Sequence, residues 1–136
     1  MTATTLSPTD RASFEEAMTT VLADHTTLRS LAVAASRRPF SADGAMSLAE
    51  AMTAHESAEA RLFALPFLTR PPETVASTAA RARQRCLEYT SGNFHLPDPS
   101  AAAALFVEAL LTHLAVEETW LAHEDEHQKE RLRIAA

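Results

Sequence analysis

Three histidines and two glutamates stand out, because imidazole and carboxylate at helical spacing can share a cation. His55 and Glu59 are four residues apart, as are His113 and Glu117. On a helix each pair lies one turn apart on a single face. His25 falls among Val21, Leu22, Leu28 and Ala32, on what would be an apolar face. Two carboxylates on such faces cost several kcal/mol to bury alone. A cation between them removes that cost, and the cores of helical bundles are where such sites are built.

Spacing by itself says little. With 18 acidic residues among 136 and 6 histidines, about 0.8 pairs of this kind arise by chance. Depth says more. His25 lies 14 residues before Pro39, His55 lies 16 after it, and His113 lies 16 after Pro97. Helices that turn at those prolines bring the three histidines to one level within about 3 Å, at about 1.5 Å per residue.

The elements that must position them follow from the prolines. These stand at positions 8, 39, 66, 71, 72, 97 and 99. Proline inside a helix costs about 3 kcal/mol, so the proline-free stretches are permitted helices and the prolines mark boundaries. Four segments result, at 8–37, 42–65, 72–91 and 99–132. Ser7 before Pro8 and Asp98 before Pro99 supply caps, Ser47 to Glu50 matches a capping box, and Glu73 follows Pro71-Pro72. Each segment carries an apolar stripe at helical spacing. Met18, Leu22, Met52 and Leu62 are expected on the inner side near the histidines. The expectation is an all-α chain folded as an up-down-up-down antiparallel four-helix bundle, one domain over 1–136.

Composition agrees. Only 2 glycines are present, too few for nucleotide-binding loops or turn-rich β folds, while a 46% hydrophobic content furnishes a core. The net charge of −6 argues against a nucleic-acid partner. A single cysteine, Cys86, excludes an internal disulfide and fits a reducing compartment. The N-terminus lacks the pattern of a signal peptide, and the apolar stretch from Ala101 to Val116 is interrupted by Glu108 and His113. A cytoplasmic protein with no membrane partner is expected, its long fourth helix offering a surface for an oligomer.

Other polar residues read as ordinary surface. His123 and His127, with Glu124, Asp125 and Glu126 between, read as a solvated helix end. Glu124 and His127 match the carboxylate–histidine spacing of ferritin-like bundles, but no second copy exists. Glu56 and Glu118 read as solvated neighbours, Arg81, Arg83 and Arg85 as a solvated face, and Trp120 and Cys86 as core.

The segments Asp24-His25-Thr-Thr-Leu28-Arg29, His55-Glu-Ser-Ala-Glu59-Ala-Arg-Leu62-Phe63 and His113-Leu-Ala-Val-Glu117-Glu118 together resemble the hemerythrin-like family, or HHE cation-binding domain. That resemblance implies a non-haem di-iron centre. In it His25 and His55 ligate one iron, His113 the other, and Glu59 and Glu117 bridge them. It also implies a small ligand: oxygen, nitric oxide or peroxide. The third helix departs from the family pattern, since Ala79 and Ala82 stand where histidine is customary and the nearby Thr78, Arg81 and Gln84 are not usual ligands. His95 restores the count only if its connection folds inward; otherwise it stands about 27 Å of helix above His113. Without it, the chain holds one metal or an open, more reactive pair, and the gap beside Ala79 and Ala82 admits water or a substrate. Zinc and manganese suit these donors as well as iron does, so iron follows from the resemblance alone. Three functions stay open: a binding protein for diatomic ligands or peroxide, favoured by the apolar inner residues; a di-iron oxidative enzyme or peroxide scavenger; and a metal-free helical interaction module.

Overall fold

A computed structural model describes residues 6–91 and 98–135. Four helices form, α1 (Pro8–Arg37), α2 (Ala42–Phe63), α3 (Glu73–Thr90) and α4 (Pro99–Ala135). Each packs on two others, α1 on α2 and α4, and α3 on α2 and α4, with no contact across either diagonal among the described residues. Short connections between long neighbouring helices make this the antiparallel, square bundle that the proline spacing predicts.

The helix starts follow their caps. Ser7 Oγ accepts from Asp10 N at 3.0 Å, and Ser7 N donates to Asp10 Oδ2 at 3.1 Å, a reciprocal capping box on α1. Asp98 Oδ1 accepts from Ala101 N at 2.8 Å. The second helix starts earlier than the Ser47–Glu50 box suggests. Ser41 is its cap, accepting from Gly44 N at 3.0 Å, so Ser47 lies inside the helix. A Cβ at position 44 would meet Ser41 Oγ at 2.9 Å, so the capping serine packs closely against this glycine.

The core has two apolar halves. One gathers Leu28, Leu48, Met52, Cys86, Phe106 and Leu110, near the α1–α2 turn. The other gathers Phe14, Val21, Leu62, Val75, Trp120 and Leu121, near the α2–α3 connection. Trp120 and Cys86 are core residues as expected; burial pushes the Cys86 thiol up to about 11. Leu22 corrects the inner-face expectation, being 37% exposed. Val21 and His25 define the buried line of α1, and Leu22 sits about 100° around the helix from Val21.

The α4 helix is long enough, and one stretch of it apolar enough at a mean hydropathy of 1.5, to meet the length and composition of a membrane span. Length therefore does not separate it from such a span. Its inner face, however, carries His113, Glu117, Glu124 and Gln128, all buried against the bundle, as in the core helix of a bundle.

Candidate metal centre

Between the two apolar halves lies a polar layer. His25, His55, Glu59, His113 and Glu117 are all buried. In each helix the chain passes from one apolar half to the other through this layer. Val21 and Leu28 flank His25, Met52 and Ala58 flank His55, and Leu114 and Trp120 flank Glu117. On α3 the corresponding stretch between Val75 and Ala82 holds Thr78 and Ala79. The equal-depth argument is realised: three helices deliver imidazole and carboxylate to one level.

His55, Glu59, His113 and Glu117 each place one donor atom so that all four lie within 4.8 Å of one another. His113 Nε2 is 3.0 Å from Glu59 Oε2 and 3.4 Å from Glu117 Oε2. His55 Nε2 is 3.4 Å from Glu59 Oε1 and 3.4 Å from Glu117 Oε1. Three buried atoms of this group, His55 Nδ1, His55 Nε2 and Glu117 Oε2, have no hydrogen-bond partner. Each unsatisfied buried polar group costs about 1–3 kcal/mol. A divalent cation would engage Nε2 and Oε2 together, so the donor set fits a metal.

His25 stands beside this group rather than within it. Its Nε2 is 2.8 Å from Glu117 Oε1 and its Nδ1 is 2.6 Å from Glu118 Oε2. The His25 ring packs edge-on to that of His55, centroids 5.0 Å apart. Glu118 is thus not a merely solvated neighbour. It bonds His25 through Oε2, while Arg29 donates to both of its oxygens, at 2.7 Å to Oε2 and 2.9 Å to Oε1. The signal lay in the sequence, since Arg29 follows His25 by one helical turn and Glu118 adjoins Glu117. Glu56 does conform to the surface reading, pairing with Arg83 at 2.7 Å.

From α3, Thr78 reaches this layer through His113. Its Oγ1 lies 2.6 Å from the Thr74 carbonyl and 3.0 Å from His113 Nδ1. With its proton directed at Thr74, the hydroxyl accepts from Nδ1–H of His113. That tautomer leaves Nε2 to face the carboxylates. Asp24 lies 4.0 Å from His55 Nδ1, beyond hydrogen-bond reach.

The electrostatics follow from these contacts. Burial pushes the Glu59 carboxyl up, but the facing imidazoles of His113 and His55 outweigh it and hold the group well below the carboxylate range. Burial likewise opposes a charge on His113, yet Glu117 and Glu59 raise it to about 9. In the metal-free protein His113 is therefore an imidazolium at neutral pH, substituting for a cation among acids.

Ala82 is fully buried within the apolar half, and Ala79 is half-buried. His95 lies outside the described residues. His123 and His127 are exposed, as expected, but Glu124 between them is buried. It accepts from Gln128 Nε2 at 3.1 Å and Thr69 N at 3.4 Å. Arg11 reaches the same region, bonding Gln128 Oε1 at 3.2 Å and pairing with Asp125.

Fold and site together define a helical bundle with a buried histidine–carboxylate layer able to hold a metal. No protein-family model, curated protein or solved structure matches the chain. Its reading rests on motif spacing and this geometry.

Proposed function

We propose that this chain is a hemerythrin-like protein whose buried layer holds non-haem iron and binds or reacts with oxygen, nitric oxide or peroxide. The observation that carries the reading is the convergence of His55, Glu59, His113 and Glu117 within 4.8 Å, with orphaned buried donor atoms among them. The order of ligands along the chain supports the family, and the family supports iron over zinc or manganese. Bound iron supplies a redox-active centre with affinity for such small ligands.

The chain's own residues do the rest. His55 and His113 offer imidazole nitrogens, His113 on giving up its proton, and Glu59 and Glu117 offer the charge that a di- or trivalent ion requires. Met52, Leu62, Leu114 and Val21 pack above and below the layer and shield it on those sides, which strengthens the electrostatic contacts inside. His25 links Glu117 and Glu118 through its two ring nitrogens, beside the donors. With Thr78 and Ala79 at this level of α3, four donors define one firm site, and His25 is the fifth imidazole or carboxylate at its edge.

Metal content and the ultraviolet–visible spectrum of aerobically purified protein test this. The expected result is about one iron per chain with near-ultraviolet absorption, and metal affinity at least 100-fold lower in Glu59→Ala and Glu117→Ala. A wild-type protein that takes up no metal, or variants that retain it, would overturn the reading and leave the metal-free interaction module.

A further inference from the structure

Glu59 is the one ligand candidate of the four with appreciable exposure, 11% of its side chain against at most 2% for His55, His113 and Glu117. It opens onto a groove of about 500 Å³ between α2 and α3. A diatomic molecule needs no such volume; grooves of about 300–1,000 Å³ fit small organic ligands. The floor is apolar and shallow-sided, formed by Phe63, Val75 and Ala79 among others. It is the absence of larger side chains on α3, at Ala76, Ala79 and Ala80, that leaves this space.

The charges along the groove set an orientation. The Glu56–Arg83 ion pair, 2.7 Å, bridges α2 to α3 and is self-neutralised. Arg70 also lines the groove, and its guanidinium has no hydrogen bond or ion pair with any described residue. Glu73, at the first turn of α3, keeps company with the positive end of the helix dipole. An anion is therefore repelled at the Glu59 end and drawn to Arg70, while an apolar body is favoured over Ala79 and Phe63.

We propose that the α2–α3 groove binds a small aromatic carboxylate, its acid group on Arg70 and its ring over Ala79 and Phe63, beside the metal centre. This inference rests on the metal-centre reading and deepens it, naming an organic ligand besides the small gas or peroxide. It predicts selectivity for an amphiphile, since neither acetate nor an uncharged aromatic satisfies both ends.

Cobalt(II)-loaded full-length protein titrated with benzoate, benzyl alcohol and acetate provides the test, read by the cobalt visible spectrum and by calorimetry. Benzoate is expected to bind and to perturb the cobalt bands, with benzyl alcohol and acetate at least 10-fold weaker. Ala79→Leu, which fills the floor, should weaken benzoate at least 10-fold. Arg70→Gln, at an exposed position, should weaken benzoate likewise and leave benzyl alcohol unchanged. Both variants should bind cobalt as the wild type does. Cobalt binding with no benzoate effect up to millimolar concentrations, or equal benzoate binding in Arg70→Gln, would overturn this inference alone. Failure to bind cobalt would overturn it together with the metal reading.

Discussion

Nδ1 of His25 lies 2.6 Å from Oε2 of Glu118, a carboxylate 93 residues away along the chain. Arg29 holds Glu118 in turn. The Arg29 bond, against the opposing effect of burial and with help from His25, keeps the Glu118 carboxyl below its usual range. Glu118 is thus a fixed acceptor that keeps the proton on Nδ1 and aims Nε2 of His25 at Glu117. Histidines beside metals depend on such partners for tautomer and orientation. Glu118→Gln is expected to lower metal affinity ten- to hundredfold without loss of helix content, measured by competition with a chromophoric chelator. Unchanged affinity would show that Glu118 does not position His25.

A metal ion bound in this layer would compete with a proton for His113. In the metal-free protein its pKa is raised to about 9, because Glu117 and Glu59 outweigh burial. At pH 7 a binding cation must therefore displace that proton. Calorimetry in two buffers of different ionisation enthalpy should detect about one proton released from His113 per metal bound. Affinity should rise with pH until about 9, then level off. The same shift governs stability without metal. A raised histidine pKa stabilises the fold fully below its ordinary 6.5, and that contribution disappears as pH climbs through about 9. The depressed Glu59 contributes fully above its ordinary 4.5 and is lost as pH falls below it. Melting temperature of the metal-free protein should therefore peak between these limits and drop by a few degrees on either side.

The chain displayed its bundle openly, and its site in part. Prolines forbid helix interiors by a large margin, so α1 and α4 start where Ser7-Pro8 and Asp98-Pro99 place them. Ser47 misled because serine three residues before glutamate is also a common accident inside a helix, while Ser41 had already supplied the cap. The shared depth of His25, His55 and His113 was readable because turns anchor helix heights. What pairs with what across helices was not, since Glu118 and Thr78 reach their histidines through side-chain directions that spacing does not encode. The burial of Glu124 and Gln128 was legible in principle. Leu110, Leu114, Glu117, Leu121, Glu124 and Gln128 continue one buried line with alternating steps of four and three.

Removing the metal should loosen the bundle. A cation present at a thousandfold over its dissociation constant stabilises a fold that alone binds it by about 4 kcal/mol. For a domain of this size that corresponds to about 10 °C in melting temperature. Adding a strong chelator to metal-loaded protein should lower the transition by that amount, followed by calorimetry or circular dichroism. An unchanged transition is what the metal-free interaction module requires.

The second polar network should matter for stability alone. Arg11 donates to the buried Gln128 and pairs with Asp125, and Gln128 donates to the buried Glu124. Arg11→Met leaves Gln128 Oε1 without its donor, at a cost of about 1–3 kcal/mol. Denaturant unfolding should show that loss, while metal affinity stays within twofold of wild type. A large fall in affinity would mean that the two polar networks are coupled.

The effect of an imidazole added on α3 should depend on which alanine it replaces. Ala82 is fully buried in the close-packed apolar half, beside Cys86, Phe106 and Leu110. Histidine there must displace neighbours and place a polar ring among methyl groups, so Ala82→His should destabilise by about 1–3 kcal/mol with no gain in metal. Ala79 instead borders the groove on which Glu59 opens, with room for a ring on the side of the carboxylate. Ala79→His should tighten metal retention at least tenfold, or raise the metal count above that of the wild type, in dialysis against a weak chelator. The reverse outcome, gain at position 82 and none at 79, would place the missing ligand direction on the apolar side of α3 and not on the groove.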